Sequence, residues 1–181
     1  ANKYYQKFIR KFPSPYEMSK ATKKEILGMW SGLGYNNRAV RLHEASKILS
    51  KNSFDSIYPE FDILPGVGEY TKNALLSFAY NDKVITQDTN VLRVFSRFFG
   101  TKDPKKFIIE NQKNILRNIK SRKFNEVLMD FGSEICTSKN PSCNVCIFDN
   151  ECKKFIQVKQ SPQPTFKGSD REIRGKIIKY L

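Results

Sequence analysis

All four cysteines of this chain, Cys136, Cys143, Cys146 and Cys152, fall within one stretch of seventeen residues, with six, two and five residues between them. A chain that gathers its thiols into one short loop is building either a metal site or a pair of disulfides. Four thiolates complete the coordination of a tetrahedral zinc or of an iron–sulfur cluster. No secretion signal precedes the loop, so a reducing compartment is expected, and that favours metal over disulfide. From spacing alone, cluster, zinc, disulfides and free thiols all stay open.

Charge narrows the partner. The 181 residues suit one large domain or two small lobes with a real apolar core. Thirty-two Lys and Arg against eighteen Asp and Glu leave a net charge of +14. That excess points to a polyanion, nucleic acid ahead of membrane, with a generic basic surface as the plainer explanation. Lys105-Lys106 and Lys153-Lys154 are short enough to be solvated helix ends. No apolar run is long enough to span a bilayer. The expectation is a soluble monomer of the cytoplasm, associated with the nucleoid.

The rest of the chain reads as helix almost throughout. Residues 1–12 place Tyr4, Tyr5, Phe8, Ile9 and Phe12 on a 3.6-residue stripe that stops at Pro13. Thr22 is a cap candidate for a helix over 23–30, and residues 38–49 carry Ala39, Leu42, Ala45, Ile48 and Leu49 on one side. Further helices are expected over 69–80, 90–99, 105–119 and 124–136. Val84-Ile85 is apolar but too short for a sheet. Residues 159–167, with Pro162 and Pro164, read as a linker, followed by a short helix capped by Ser169 or Asp170. The fold class is all-α.

Two interior segments carry chemistry. In Leu64-Pro65-Gly66-Val67-Gly68, two glycines one residue apart stand directly ahead of a helix. That arrangement suits a tight hairpin whose backbone N–H groups, backed by the helix N-terminus, receive one phosphate without a charged side chain. An ordinary helix–helix turn is the plain alternative. About twenty residues on comes Asp88, placed to be the N-cap of an apolar helix.

Taken in order, Leu64-Pro65-Gly66-Val67-Gly68, then Asp88-Thr89-Asn90-Val91-Leu92-Arg93-Val94, then the four cysteines resemble the helix-hairpin-helix DNA glycosylases of the endonuclease III and MutY superfamily. The resemblance covers residues 1–155. It implies an all-helical fold of two lobes with mismatched double-stranded DNA bound across the cleft. Residues 1–83 form a helical lobe with the hairpin, residues 84–155 a cluster lobe, and residues 156–181 a linker and short helix. It also implies a 4Fe–4S cluster held by Cys136, Cys143, Cys146 and Cys152, structural in role, which shapes a basic loop whose Lys139 touches phosphate. Leu64, Gly66, Val67 and Gly68 become the DNA-binding hairpin.

The chemistry the resemblance implies begins with flipping a base out of the duplex and ends with cleavage of its N-glycosidic bond. The sugar left behind has oxocarbenium character, so a nearby carboxylate stabilises charge and steers or deprotonates water. Asp88 matches the family's catalytic aspartate, and a capping role does not conflict with that. Bifunctional members carry a lysine at position 70 that attacks the sugar as a Schiff-base nucleophile. Tyr70 has no amine, and Lys72 lies roughly 200° further round the helix. The implied enzyme is monofunctional.

Trp30-Ser-Gly-Leu-Gly-Tyr35-Asn-Asn-Arg38-Ala39 is similar to the MutY adenine glycosylases, as are Phe124-Asn125 and Leu128-Met129-Asp130-Phe131-Gly132. This implies adenine opposite guanine or 8-oxoguanine as substrate, with Tyr35 and Arg38 at the DNA; core packing is the plain alternative for Trp30 and Tyr35. Tyrosine at position 70 also occurs in archaeal mismatch thymine glycosylases, so thymine or uracil opposite guanine is the second expectation. Two residues depart from the MutY pattern: Asn36, where a second aromatic is usual, and Thr89, where glycine is usual. The family's Gln-Gln-Thr segment and the glutamate that protonates adenine are not in the chain, and residues 156–181 are too few for a domain that inspects 8-oxoguanine. A DNA-binding module without chemistry is the third expectation.

Overall fold

A computed structural model describes residues 2–154 and 165–179. In chain order the helices are α1 (Asn2–Lys11), α2 (Pro15–Lys20), α3 (Lys23–Trp30), α4 (Asn37–Leu49), α5 (Glu69–Phe78), α6 (Thr89–Phe99), α7 (Pro104–Ile115), α8 (Ser121–Glu134) and α9 (Asp170–Lys179), with three short 3-10 turns. No strand occurs among the described residues, so the all-α reading stands. None of these helices is long and apolar enough to cross a membrane. Most of the linker read at 159–167 lies outside the described residues.

The chain divides into two compact units, in their described residues: Ala1–Val67 with Ser161–Leu181, and Gly68–Gln160. The sequence reading drew the boundary after residue 83 and set the tail apart. Instead α5 packs on α8 within the second unit, and α9 packs on α3 within the first. The α5–α8 contact runs through small polar side chains, Ser77 to Ser121, which hydrophobic periodicity does not register.

In the first unit the aromatic stripe of α1 does what its spacing requires. Phe8 and Phe12 meet Trp30, Met18, Ile26 and Ala39 in one apolar cluster. Thr22 caps α3 in a complete capping box: Glu25 N–H donates to Thr22 Oγ1 at 3.2 Å, and Thr22 N–H donates to the Glu25 carboxylate at 2.8 Å. The sequence reading missed α2, which at six residues is too short to show a period. Its local signal was present all the same, in Ser14 at the N-cap with Pro15 behind it and Glu17 N–H donating to Ser14 Oγ.

In the second unit α6 supplies the core. Val91 and Phe95 are buried with Ile85, Ile108 and Leu116, and Gly100, in the left-handed region at φ 69°, ends the helix. Lys153-Lys154 does not end a helix as expected; Lys154 folds back to an ion pair with Asp149 at 2.8 Å.

Between α5 and α6 the chain runs as a strap that is neither helix nor strand. Side chains of α7 and α8 take the place of a sheet ladder. Ile85 N–H donates to Gln112 Oε1 (3.0 Å), Thr86 N–H to Asn125 Oδ1 (2.8 Å), and Val84 C=O accepts from Ser121 Oγ (2.6 Å) and Asn125 Nδ2 (2.9 Å). Lys83 Nζ in turn reaches the carbonyls of Leu116 and Ile119 at the end of α7. Each such group left unpaired in the interior costs about 1–3 kcal/mol, so these bonds decide where the strap lies. The strap ends at Asp88.

Candidate functional site

Asp88 is the N-cap of α6, as its position suggested. Its backbone is extended (φ −80°, ψ 173°), and Val91 N–H donates to Oδ1 at 2.7 Å. The other oxygen, Oδ2, faces the amide of Asn90 at 3.5 Å. Side-chain capping therefore occupies one oxygen firmly and leaves the second in a loose contact only. The carboxylate is half-buried, with a fixed orientation and a free edge.

What fixes Asn90 is Arg93. Arg93 Nη2 donates to Asn90 Oδ1 (2.8 Å) and to Gly132 C=O (2.5 Å), and Nε donates to Cys136 C=O (2.8 Å). Burial, the main cause, holds the guanidinium below its ordinary pKa, and the neighbouring Cys136 opposes that shift. One turn on, Arg97 donates to the carbonyls of Thr137 (2.6 Å) and Ser138 (3.0 Å) and to Cys136 Sγ (3.4 Å). Gly132 is required where α8 meets α6, because a Cβ there would lie 2.8 Å from Asn90 Cβ. A continuous chain of contacts thus joins the carboxylate to the cysteine loop. Asn90, Arg93 and Gly132 stand inside the sequence motifs, yet the motifs alone assign them no role. The available signal is the spacing Asp-x-Asn-x-x-Arg at a helix start, which puts cap, amide and guanidinium within about one and a half turns.

Tyr70 lies in the first turn of α5 and is 46% exposed, an accessible phenol. Helix α5 has Gly68 as its N-cap, so no N-cap side chain accepts from its first N–H groups. Just before it, Val67 N–H donates to Leu64 C=O (3.0 Å) across a turn with Gly66 at φ 89°. Only glycine fits at 66, since a Cβ there would also meet the Arg41 stem at 3.0 Å. Gly66 and Gly68 are exposed and Val67 is half-buried, whereas the Leu64 side chain is buried and anchors the turn.

In the first unit, residues 31–36, between α3 and α4, form a loop that displays an aromatic ring. Trp30 Nε1 donates to Gly34 C=O at 2.8 Å, and Gly32, Gly34 and Tyr35 all have positive φ. Tyr35 sits at φ 48° with 64% of its surface exposed. A non-glycine residue held in that region and turned to solvent is a poor core residue. Core packing therefore fails for Tyr35 and holds in part for Trp30, which joins the α1 cluster and carries the Arg38 guanidinium 5.7 Å from its ring centroid.

The four cysteines are free thiols, each half-buried, and no disulfide forms among them. No three Cys, His, Asp or Glu of the described residues draw close enough to hold one ion. All four thiols nevertheless line one cavity of about 720 Å³, together with Arg97 and Lys139. Sulfur-directed donors are already in place: Arg97 Nη1 on Cys136 and the Lys154 N–H on Cys152 Sγ at 3.4 Å. A donor set of four thiols with N–H groups aimed at sulfur fits a cluster of iron and sulfide. Lys139 is exposed on the same loop.

Residues 1–117 match the family described as HhH-GPD superfamily base excision DNA repair protein. Among curated proteins, an adenine DNA glycosylase of Buchnera aphidicola subsp. Baizongia pistaciae is 37% identical over 167 residues, which is 86% of this chain and 46% of that protein. An adenine DNA glycosylase of Mycobacterium tuberculosis (strain H37Rv) is 31% identical over 188 residues, covering 96% of this chain and 62% of that one. The chain thus spans about half the length of the curated relatives it matches. Among solved structures, a thermostable thymine-DNA glycosylase aligns with a TM-score of 0.74 and 30% identity over 84% of this chain and 75% of the other. A trapped endonuclease III–DNA covalent intermediate aligns at 0.69 with 24% identity over 84% and 75%, which shows the shared fold.

Proposed function

The chain belongs to the HhH-GPD superfamily of base excision DNA repair proteins, and from that premise we propose that it is the glycosylase core of an adenine DNA glycosylase. It removes adenine mispaired with guanine or 8-oxoguanine and cuts no strand. The observation that carries this reading is Asp88: a carboxylate held by Val91 N–H on one oxygen, with its other oxygen in loose contact with Asn90. As the N-glycosidic bond of a flipped adenine stretches, positive charge grows on the sugar. A preorganised carboxylate stabilises that charge and orients the water that captures the sugar. Curated relatives at 28–37% identity that bear the name adenine DNA glycosylase support the choice of base.

The remaining parts have supporting roles. The N-terminus of α5, with glycine at its N-cap, suits a DNA phosphate. Tyr35, exposed on a rigid loop, suits stacking beside the mismatch, with Arg38 next to it. Tyr70 cannot form a Schiff base, which supports hydrolysis without strand cleavage. Cys136, Cys143, Cys146 and Cys152 would hold a 4Fe–4S cluster that braces their loop and leaves Lys139 free to meet phosphate. That group supplies rigidity at the site and no step of the hydrolysis.

A second reading has one observation in its favour, the 30% identity to a thymine-DNA glycosylase. Excision measured on duplexes holding adenine opposite 8-oxoguanine or guanine, and thymine or uracil opposite guanine, decides between them. Release of thymine or uracil but not adenine moves the protein to the second reading. Tight DNA binding with no release on any duplex makes it a binding module.

A further inference from the structure

Asp88 is the last residue of a strap that has no secondary structure of its own, so its position is inherited from whatever holds residues 83–87. We propose that Asn125 of α8 is the positioning residue for Asp88, an inference that rests on the catalytic reading of that carboxylate. Asn125 is fully buried, and both ends of its amide are used. Oδ1 accepts from Thr86 N–H (2.8 Å) and from Thr86 Oγ1 (3.0 Å), two residues before Asp88. Nδ2 donates to Val84 C=O (2.9 Å), to Ser77 Oγ (2.8 Å) and to Ser121 C=O (2.9 Å).

One side chain therefore pins the strap at 84 and at 86 while Ile85, between them, is buried in the α6–α7 core. Thr86 stands two residues before Asp88, so holding it against α8 limits where the backbone can place Asp88. The same helix acts a second time. Gly132 lies seven residues after Asn125, two turns along the same face of α8, and there it meets Asn90. So α8 braces the backbone on both sides of Asp88, upstream through Asn125 and downstream through Gly132. The shape of the amide is specific: leucine offers neither donor nor acceptor, aspartate lacks the donor for Val84, and glutamine is one methylene too long.

The test compares Asn125→Ala with Ser77→Ala. The Ser77 side chain contributes to the same buried node but makes no bond to residues 83–88, so it reports what loss of a buried hydrogen bond does by itself. Single-turnover excision at saturating enzyme, affinity for a duplex holding an uncleavable abasic-site analogue, and Tm are measured for each. Displacement of a reacting group by about 1 Å slows chemistry by up to about a hundred-fold. The expected result is a loss of that size for Asn125→Ala, with affinity within about three-fold of the parent, and near-parental excision for Ser77→Ala. If Asn125→Ala does not fold, Thr86→Val keeps the shape and removes only the hydroxyl bond, and it should slow excision with unchanged affinity. Parental rates in these variants overturn the proposal, as does an equal loss in Ser77→Ala. Failure of the glycosylase reading is distinct, because it appears in the unsubstituted protein.

Discussion

The guanidinium of Arg93 decides which way the amide of Asn90 points. Nη2 donates to Asn90 Oδ1 at 2.8 Å, and this turns the amide nitrogen toward Asp88 Oδ2. Its Nε simultaneously holds the carbonyl of Cys136, the first residue of the cysteine loop. Arg93→Lys removes the planar fork and leaves two part-buried carbonyls without this donor. We expect a loss of about 2 kcal/mol in urea unfolding together with slower excision. Unchanged stability would mean that these carbonyls find water instead.

Gly132→Ala attacks the same relationship from α8. The added methyl meets Asn90 Cβ at 2.8 Å and the Asn90 backbone at 3.4 Å. Overpacking of this kind costs about 1–3 kcal/mol, and a lowered Tm with slowed excision is the expected outcome.

Tyr35→Ala should separate binding from stability. The ring is exposed, so Tm is expected to stay within about 2 °C of the parent, since surface changes fall within about 0.5 kcal/mol. Affinity for mismatched duplex should fall by the worth of one stacked base, about 1–3 kcal/mol. A titration showing equal affinity would remove Tyr35 from the DNA-contacting residues.

His43, on α4, is buried, and among the described residues neither ring nitrogen has a hydrogen-bond partner. A buried polar group without a partner costs about 1–3 kcal/mol, so His43→Leu is expected to raise Tm. A fall in Tm would point to a buried water on the ring.

The cysteine loop gives a prediction free of any activity assay. Protein purified without oxygen should carry iron and sulfide in equal amounts with a broad visible absorption, and Cys146→Ser should lose both. A colourless protein holding one zinc would overturn the cluster.

The features legible in the sequence are those written in short local patterns. Thr22 with Glu25, Asp88 ahead of an apolar helix and the glycine turn at 66 are capping and turn chemistry, decided by neighbours within four residues. The strap was not legible. Its hold on Asp88 runs through Gln112, Ser121 and Asn125, between 27 and 41 residues from the strap residues they bond. Such polar pairs leave no period. For the same reason the boundary after residue 83 missed the attachment of α5 to α8, and α2, six residues long, had too few turns to show a stripe.

The central claim is that Asp88 performs the chemistry, and Asp88→Asn tests it most directly. Asparagine caps a helix about as well as aspartate, so fold, Tm and DNA affinity should be preserved. Single-turnover release of adenine from a duplex opposite 8-oxoguanine should fall by about 10²–10⁴-fold. Equal release by Asp88→Asn and the unsubstituted protein would contradict the account.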